Sequence, residues 1–127
     1  LETTNPTIPD SFPIINFASD SLDLSVEQRQ VVREISTQLK SPPVAELLVY
    51  VIGHADNHGK ASLNEKVGLQ RAETVARELV FNGIVSERLT VESRGERDPI
   101  APNKRADGSD DPQGRAQNRR VEISLKR

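Results

Sequence analysis

The chain has no cysteine, no methionine and no tryptophan, and only one tyrosine and three phenylalanines among its 127 residues. Without cysteine there is no disulfide framework, no thiolate metal site and no cysteine nucleophile, while the redox compartment stays open. Without methionine there is no initiator, so Leu1 is expected to follow a missing upstream segment that carries a signal peptide or membrane anchor. An aromatic content of 3% leaves little surface for stacking bases or sugar rings, which counts against carbohydrate platforms and single-stranded nucleic acid. No apolar run approaches the ~18 residues of a membrane-spanning helix. An excess of one charge is missing too: 17 basic against 19 acidic residues give a net charge of −2, hence no global basic field for nucleic acid or anionic lipid. Any ligand must be held by a local site.

What is present suits one domain with a hydrophobic core, from 35% hydrophobic and 28% charged residues. Residues 1–11 hold Thr and Pro with almost nothing apolar and read as a linker or tether; the domain is expected over 12–127. Phe12 to Phe17 is a short β-branched and aromatic run, expected as a strand with Pro13 near its start. Ser25-Val26-Glu27-Gln28 offers a capping box for a helix over 26–40, which Pro42-Pro43 ends. Val44 to Ile52 is nearly all apolar and suits a central strand. A second capping box, Ser62-Leu63-Asn64-Glu65, is expected to open a longer helix with Ala72, Val75, Ala76 and Leu79 on one face, stopped by Asn82-Gly83. Gly68 interrupts that helix, either for close packing or as a tolerated cost. Leu89 to Ser93 and Val121 to Leu125 alternate with period two and read as strands. Between them, residues 96–118 read as one long loop. The result is an α/β sandwich in the order β-α-β-α-β-β, with two main helices on one mixed sheet.

Several constellations compete for a functional role. Gly53-His54-Ala55-Asp56-Asn57-His58-Gly59 leaves the end of the central strand and feeds a helix, a common position for ligand sites, although an Asx turn with permissive glycines explains it equally well. His54, Asp56 and His58 are zinc-competent, but the glycines break the extended spacing and no fourth ligand is evident, so no metal is assigned. A hydrolase using His54 and Asp56 lacks a nucleophile, and no Gly-x-Ser-x-Gly elbow exists. Asp107-Gly108-Ser109-Asp110-Asp111 lacks the terminal Glu of a calcium loop and reads as a solvated turn. On the second helix, Asn64, Gly68 and Arg71 share one face that can look back toward Asp56.

With those residues in view, the chain resembles the OmpA-like peptidoglycan-binding domain. The resemblance rests on Gly53-His54-x-Asp56-Asn57-x-Gly59, Asn64, Arg71-Ala72-x-x-Val75, Gly83-Ile84, Gly95-Glu96, Pro99-Ile100 and Asn118-Arg119-Arg120-Val121-Glu122-Ile123, with Phe17-x-x-Asp20-Ser21 and Leu24 upstream. It covers the chain from about Phe12 onward. It implies a non-catalytic pocket for the diaminopimelate residue of the peptidoglycan stem peptide, with no cofactor. In that reading Asp56 holds the ligand's ammonium and Arg71 its carboxylate, Asn64 and Asp20 line the pocket, and Arg119 is adjacent. It also implies a periplasmic setting, with attachment to the inner or outer membrane only through the missing upstream part of a larger envelope protein.

The chain departs from the family's usual pattern at Ala18, where an acidic residue is common, at Ala55, where threonine is, and at Val67-Gly68, where Leu-Ser is. Each lost hydroxyl removes a hydrogen bond worth ~1 kcal/mol. Residues 105–117 are expected to fold over the pocket or to contact another protein. An alternative follows: a fold used mainly for protein-protein interaction through the 96–118 loop, with weak or no peptidoglycan binding. An envelope protein partner and a homodimer are both left open.

Overall fold

The computed structural model describes residues 12–126, so the expected tether at 1–11 lies outside the described residues. Local chemistry starts the first helix. The Ser25 hydroxyl accepts the Gln28 amide at 3.1 Å and opens α1 (Val26–Leu39). Gln28 does not complete the capping box; its side-chain carbonyl accepts the Asn16 amide at 3.2 Å, tying the helix start to strand β1 (Ile15–Asn16). That strand is shorter than the apolar run around it.

The central strand β2 (Val49–His54) also starts later than expected. Val44 and Leu47 lie in turns whose amides donate to the Ser41 and Val44 carbonyls. Val44 is nevertheless buried, and a continuous apolar run cannot by itself separate a buried turn from a strand. Arg88, in a single 3₁₀ turn at Ser86–Arg88, holds this segment together. Its guanidinium donates to the carbonyls of Leu39, Val44 and Leu47 at 2.7–2.8 Å, satisfying three acceptors that no strand partner reaches.

Helix α2 (Ala61–Phe81) opens at Lys60, two residues before the expected cap Ser62, and no side chain caps it. Ser62 lies inside the first turn. Asn64 and Glu65 reach sideways to Glu96 and Arg97, so the second capping box does not form. The far end behaves as expected: Gly83 adopts φ +101°, its amide donates to Val80 and the Ile84 amide to Leu79, both at 3.0 Å, in a Schellman motif.

Strands β3 (Leu89–Gly95) and β4 (Arg120–Leu125) complete a four-stranded sheet of order β1-β4-β2-β3. β2 runs parallel to β3 and antiparallel to β4, which runs antiparallel to β1. A parallel neighbour needs a crossover, and α2 supplies it. Val49, Val51, Val121 and Ile123 form the core with Val32, Ile35 and Leu39 of α1 and Ala72, Val75 and Leu79 of α2. The expected α/β sandwich on one mixed sheet is therefore present. A third helix, α3 (Pro112–Asn118), replaces the last seven residues of the expected long loop. Its signal stood in the sequence: Asp111 caps the Gly114 amide at 3.0 Å, and Pro112 occupies the first turn, where a missing amide costs nothing.

Two glycines set the distance between sheet and helix. A methyl group on Gly53 would lie 1.7 Å from the Gly68 carbonyl oxygen, and one on Gly68 would lie 2.4 Å from the Ser93 hydroxyl. Gly68 is thus a close-packing residue, and it brings the end of β2 against the first turns of α2.

Candidate functional site

That contact decides where the cavity opens. Beyond Gly53 the chain leaves the sheet through Ala55, Asp56 and His58, while α2 rises beside it with Asn64, Val67 and Arg71. Between them, closed by Ser19, Asp20 and Leu22 after β1 and by Arg119 before β4, lies a cavity of about 200 Å³. All five residues expected in the site, Asp20, Asp56, Asn64, Arg71 and Arg119, line it.

Arg71 is the most buried charge lining the cavity, 2% exposed. Its Nε donates to the Ser21 carbonyl at 3.2 Å, Nη1 to His54 at 3.3 Å and Nη2 to Ala18 at 3.4 Å, and it stacks on Phe17 at 5.4 Å. Three dipoles and a ring face hold the cation in place. No carboxylate among the described residues lies within ion-pair distance of it. Burial, followed by the neighbouring Arg119 charge, lowers its pKa to about 10, against the opposing pull of Asp56 and Asp20.

Asp56, 7% exposed, faces the same cavity with partners of its own. Its Oδ1 accepts the His58 amide at 2.9 Å, an Asx turn within the loop that follows β2, and its Oδ2 accepts Arg119 at 3.0 Å. Arg119 is fixed in turn by the Phe17 carbonyl at 3.1 Å. Arg115 of α3 stands 3.6 Å from the same Asp56 oxygen. Sequence reasoning had the 105–117 stretch either fold over the pocket or contact another protein, and gave Arg115 no place in the site. Asp20 contributes from a left-handed backbone, φ 58°, at the exposed rim. Asn64 lends one face to the cavity while its amide donates to Glu96 at 3.1 Å.

Asn118 lies outside the cavity and anchors it. Fully buried, it accepts from the Ile100 and Ala101 amides and donates to the Ala101 carbonyl and the Asn103 side chain, which fixes the loop before α3. Of the three departures, Ala55 lines the cavity, whereas Gly68 faces β2 and β3, so its missing hydroxyl is a matter of packing. Ala18 meets Arg71 through its backbone carbonyl.

The imidazole of His54 is also turned away. It is 2% exposed against Arg120 and Glu122, with Nε2 3.9 Å from the Glu122 carboxylate and neither ring nitrogen hydrogen-bonded. His54, Asp56 and His58 therefore do not converge. Burial, then the Arg120 charge, pushes the His54 pKa down to about 4, with Glu122 opposing. The unfolded chain takes up this proton near 6.5 and the folded one only near 4, so folding stability falls as pH drops through that window. The loss is expected to reach about 3 kcal/mol. Urea titrations from pH 7 to 4 should show that slope, and His54→Leu should flatten it; an unchanged slope in the variant would mean that other groups carry it.

A family model described as OmpA family matches residues 16–124. The peptidoglycan-binding protein ArfA of Mycobacterium tuberculosis is 34% identical over 109 residues, 86% of this chain and 31% of that protein. The photosystem I P700 chlorophyll a apoprotein A2 of Gloeobacter violaceus is 47% identical over 78 residues, 61% of this chain and 9% of that protein. Among solved structures, the peptidoglycan-associated lipoprotein from Burkholderia pseudomallei superposes with a TM-score of 0.78 at 26% identity, covering 89% of each chain. The chain spans less than a third of the length of either of these two relatives.

Proposed function

Since the chain belongs to the OmpA family, we propose that it is a non-catalytic module that binds peptidoglycan through the diaminopimelate residue of the stem peptide and anchors a larger envelope protein to the cell wall. One observation carries the reading. Arg71 is a buried cation with no anion within ion-pair distance among the described residues, set in the wall of a cavity that also presents Asp56. A zwitterionic amino-acid end supplies what is missing, because its carboxylate can meet the guanidinium as a fork and its ammonium can meet the acidic side. The names of the relatives, a peptidoglycan-binding protein and a peptidoglycan-associated lipoprotein, support the same ligand class, and a peptidoglycan ligand in turn places the domain in the periplasmic envelope in this reading. His54, the base that a hydrolase would need beside Asp56, lies outside the cavity, which favours binding over cleavage.

The test is a titration of the labelled domain with a diaminopimelate-containing stem peptide, followed by amide shifts. Shifts should cluster on Asp20, Asp56, Asn64, Arg71 and Arg119. The same peptide with its side-chain carboxylate converted to carboxamide should bind about tenfold more weakly or worse, since a neutral group leaves the Arg71 charge uncompensated. Absence of shifts at millimolar free-acid peptide overturns the reading.

A further inference from the structure

Arg115 is shared unequally between two carboxylates. Asp110, on the rim and half exposed, takes it as a fork: Nε donates to Oδ1 at 2.6 Å and Nη2 to Oδ2 at 2.5 Å. Asp56, in the cavity, sees only its Nη1 at 3.6 Å. The segment bearing Asp110 is built rather than loose. Lys104 and Asp110 pair as an antiparallel bridge, the Arg105 amide donates to Ser109 at 2.7 Å, and Gly108 turns the chain at φ +87°. Gly114 presses α3 so closely on this loop that a methyl group there would lie 1.8 Å from the Pro102 carbonyl. Arg115 thus sits on a fixed helix between two fixed acids.

We propose that Asp110 is a positioning residue that keeps Asp56 available to the ligand's ammonium by drawing Arg115 away from it. The proposal rests on the zwitterion reading given above. Asp56 already accepts from Arg119 and from the His58 amide. A second guanidinium closing on it would fill the remaining acceptor positions and add a positive charge where the ammonium must sit. With Asp110 in place, Arg115 is neutralised at the rim.

Charge balance then gives signs that a merely structural role does not. Asp110→Asn leaves one uncompensated cation beside Asp56 and should weaken the free-acid stem peptide about fivefold, the scale of a like charge a few ångströms away at partial exposure. Arg115→Gln removes that cation, leaves Asp110 unpaired, and should tighten the same peptide. The double variant restores the balance and should bind close to wild type. A peptide with its side-chain amine acetylated should not be weakened by Asp110→Asn, because nothing positive then meets Asp56.

Isothermal titration of the four proteins measures this. A loss in Arg115→Gln comparable to that in Asp110→Asn, or a loss from Asp110→Asn that persists when position 115 is Gln, overturns the proposal. A readout without ligand keeps it separable from the binding reading: the carbon-13 shift of the Asp56 carboxylate should move on Asp110→Asn only while Arg115 is present. If wild type fails to bind the peptide but this coupling is seen, the ligand assignment fails and the positioning role stands; absence of the coupling removes the role itself.

Discussion

Replacing Arg71 with alanine is expected to weaken retention of the domain on purified sacculi about thirtyfold, a loss on the order of 2 kcal/mol. The magnitude follows from burial. A guanidinium that is 2% exposed and has no carboxylate within ion-pair distance among the described residues concentrates its field on whatever anion enters the cavity. Truncation also strips donors from the carbonyls of Ala18, Ser21 and His54, so melting must be recorded alongside binding. Arg71→Lys separates the two effects. It keeps the charge but loses the fork, and should fall between wild type and alanine in affinity. Retention of folded Arg71→Ala at wild-type strength would remove the central support for the pocket.

The largest expected loss of stability lies elsewhere, at Arg88. Arg88→Met should keep much of the aliphatic packing and take the guanidinium away from the Leu39, Val44 and Leu47 carbonyls, of which Val44 keeps the Leu47 amide. Charge-assisted bonds of this kind contribute about 1.5–3 kcal/mol each, and not additively, so a total near 3 kcal/mol or more is expected. For a domain of this size that is a fall in melting temperature of roughly 10 °C. Calorimetry decides it. A fall below a few degrees would mean that water replaces the guanidinium at little cost and that the turn is not held as described.

Arg88 also shows where reading the sequence stops. Periodicity and capping residues were enough for α1, the body and end of α2, and strands β3 and β4, because each signal is local. The partners of Arg88 are backbone carbonyls 41 to 49 residues away, which leave no mark on side-chain identity, and so an arginine in a Ser-Glu-Arg turn resembles any solvated charge. The late start of β2 has the same origin, since an apolar segment clamped by a distant arginine looks like a strand. For the site, resemblance named Asp20, Asp56, Asn64, Arg71 and Arg119, five of the ten residues that line the cavity, where spacing alone found only the shared face of Asn64 and Arg71. Arg115 escaped both, because its role comes from the opposition of Asp110 and Asp56, two acids 54 positions apart. The missed capping box at Ser62 is a milder case: Asn64 and Glu65 had better partners across the sheet end in Glu96 and Arg97.

The contact between Gly53 and Gly68 has a kinetic meaning as well as a steric one. Two opposing walls of the cavity are continuous with backbones that touch without an intervening side chain, so they lack the rotamer freedom through which packed elements usually shift. A site framed in this way is expected to be open to its ligand at all times. Association should then be a single bimolecular step, linear in peptide concentration, and differences in affinity among cell-wall fragments should arise in how long each one stays.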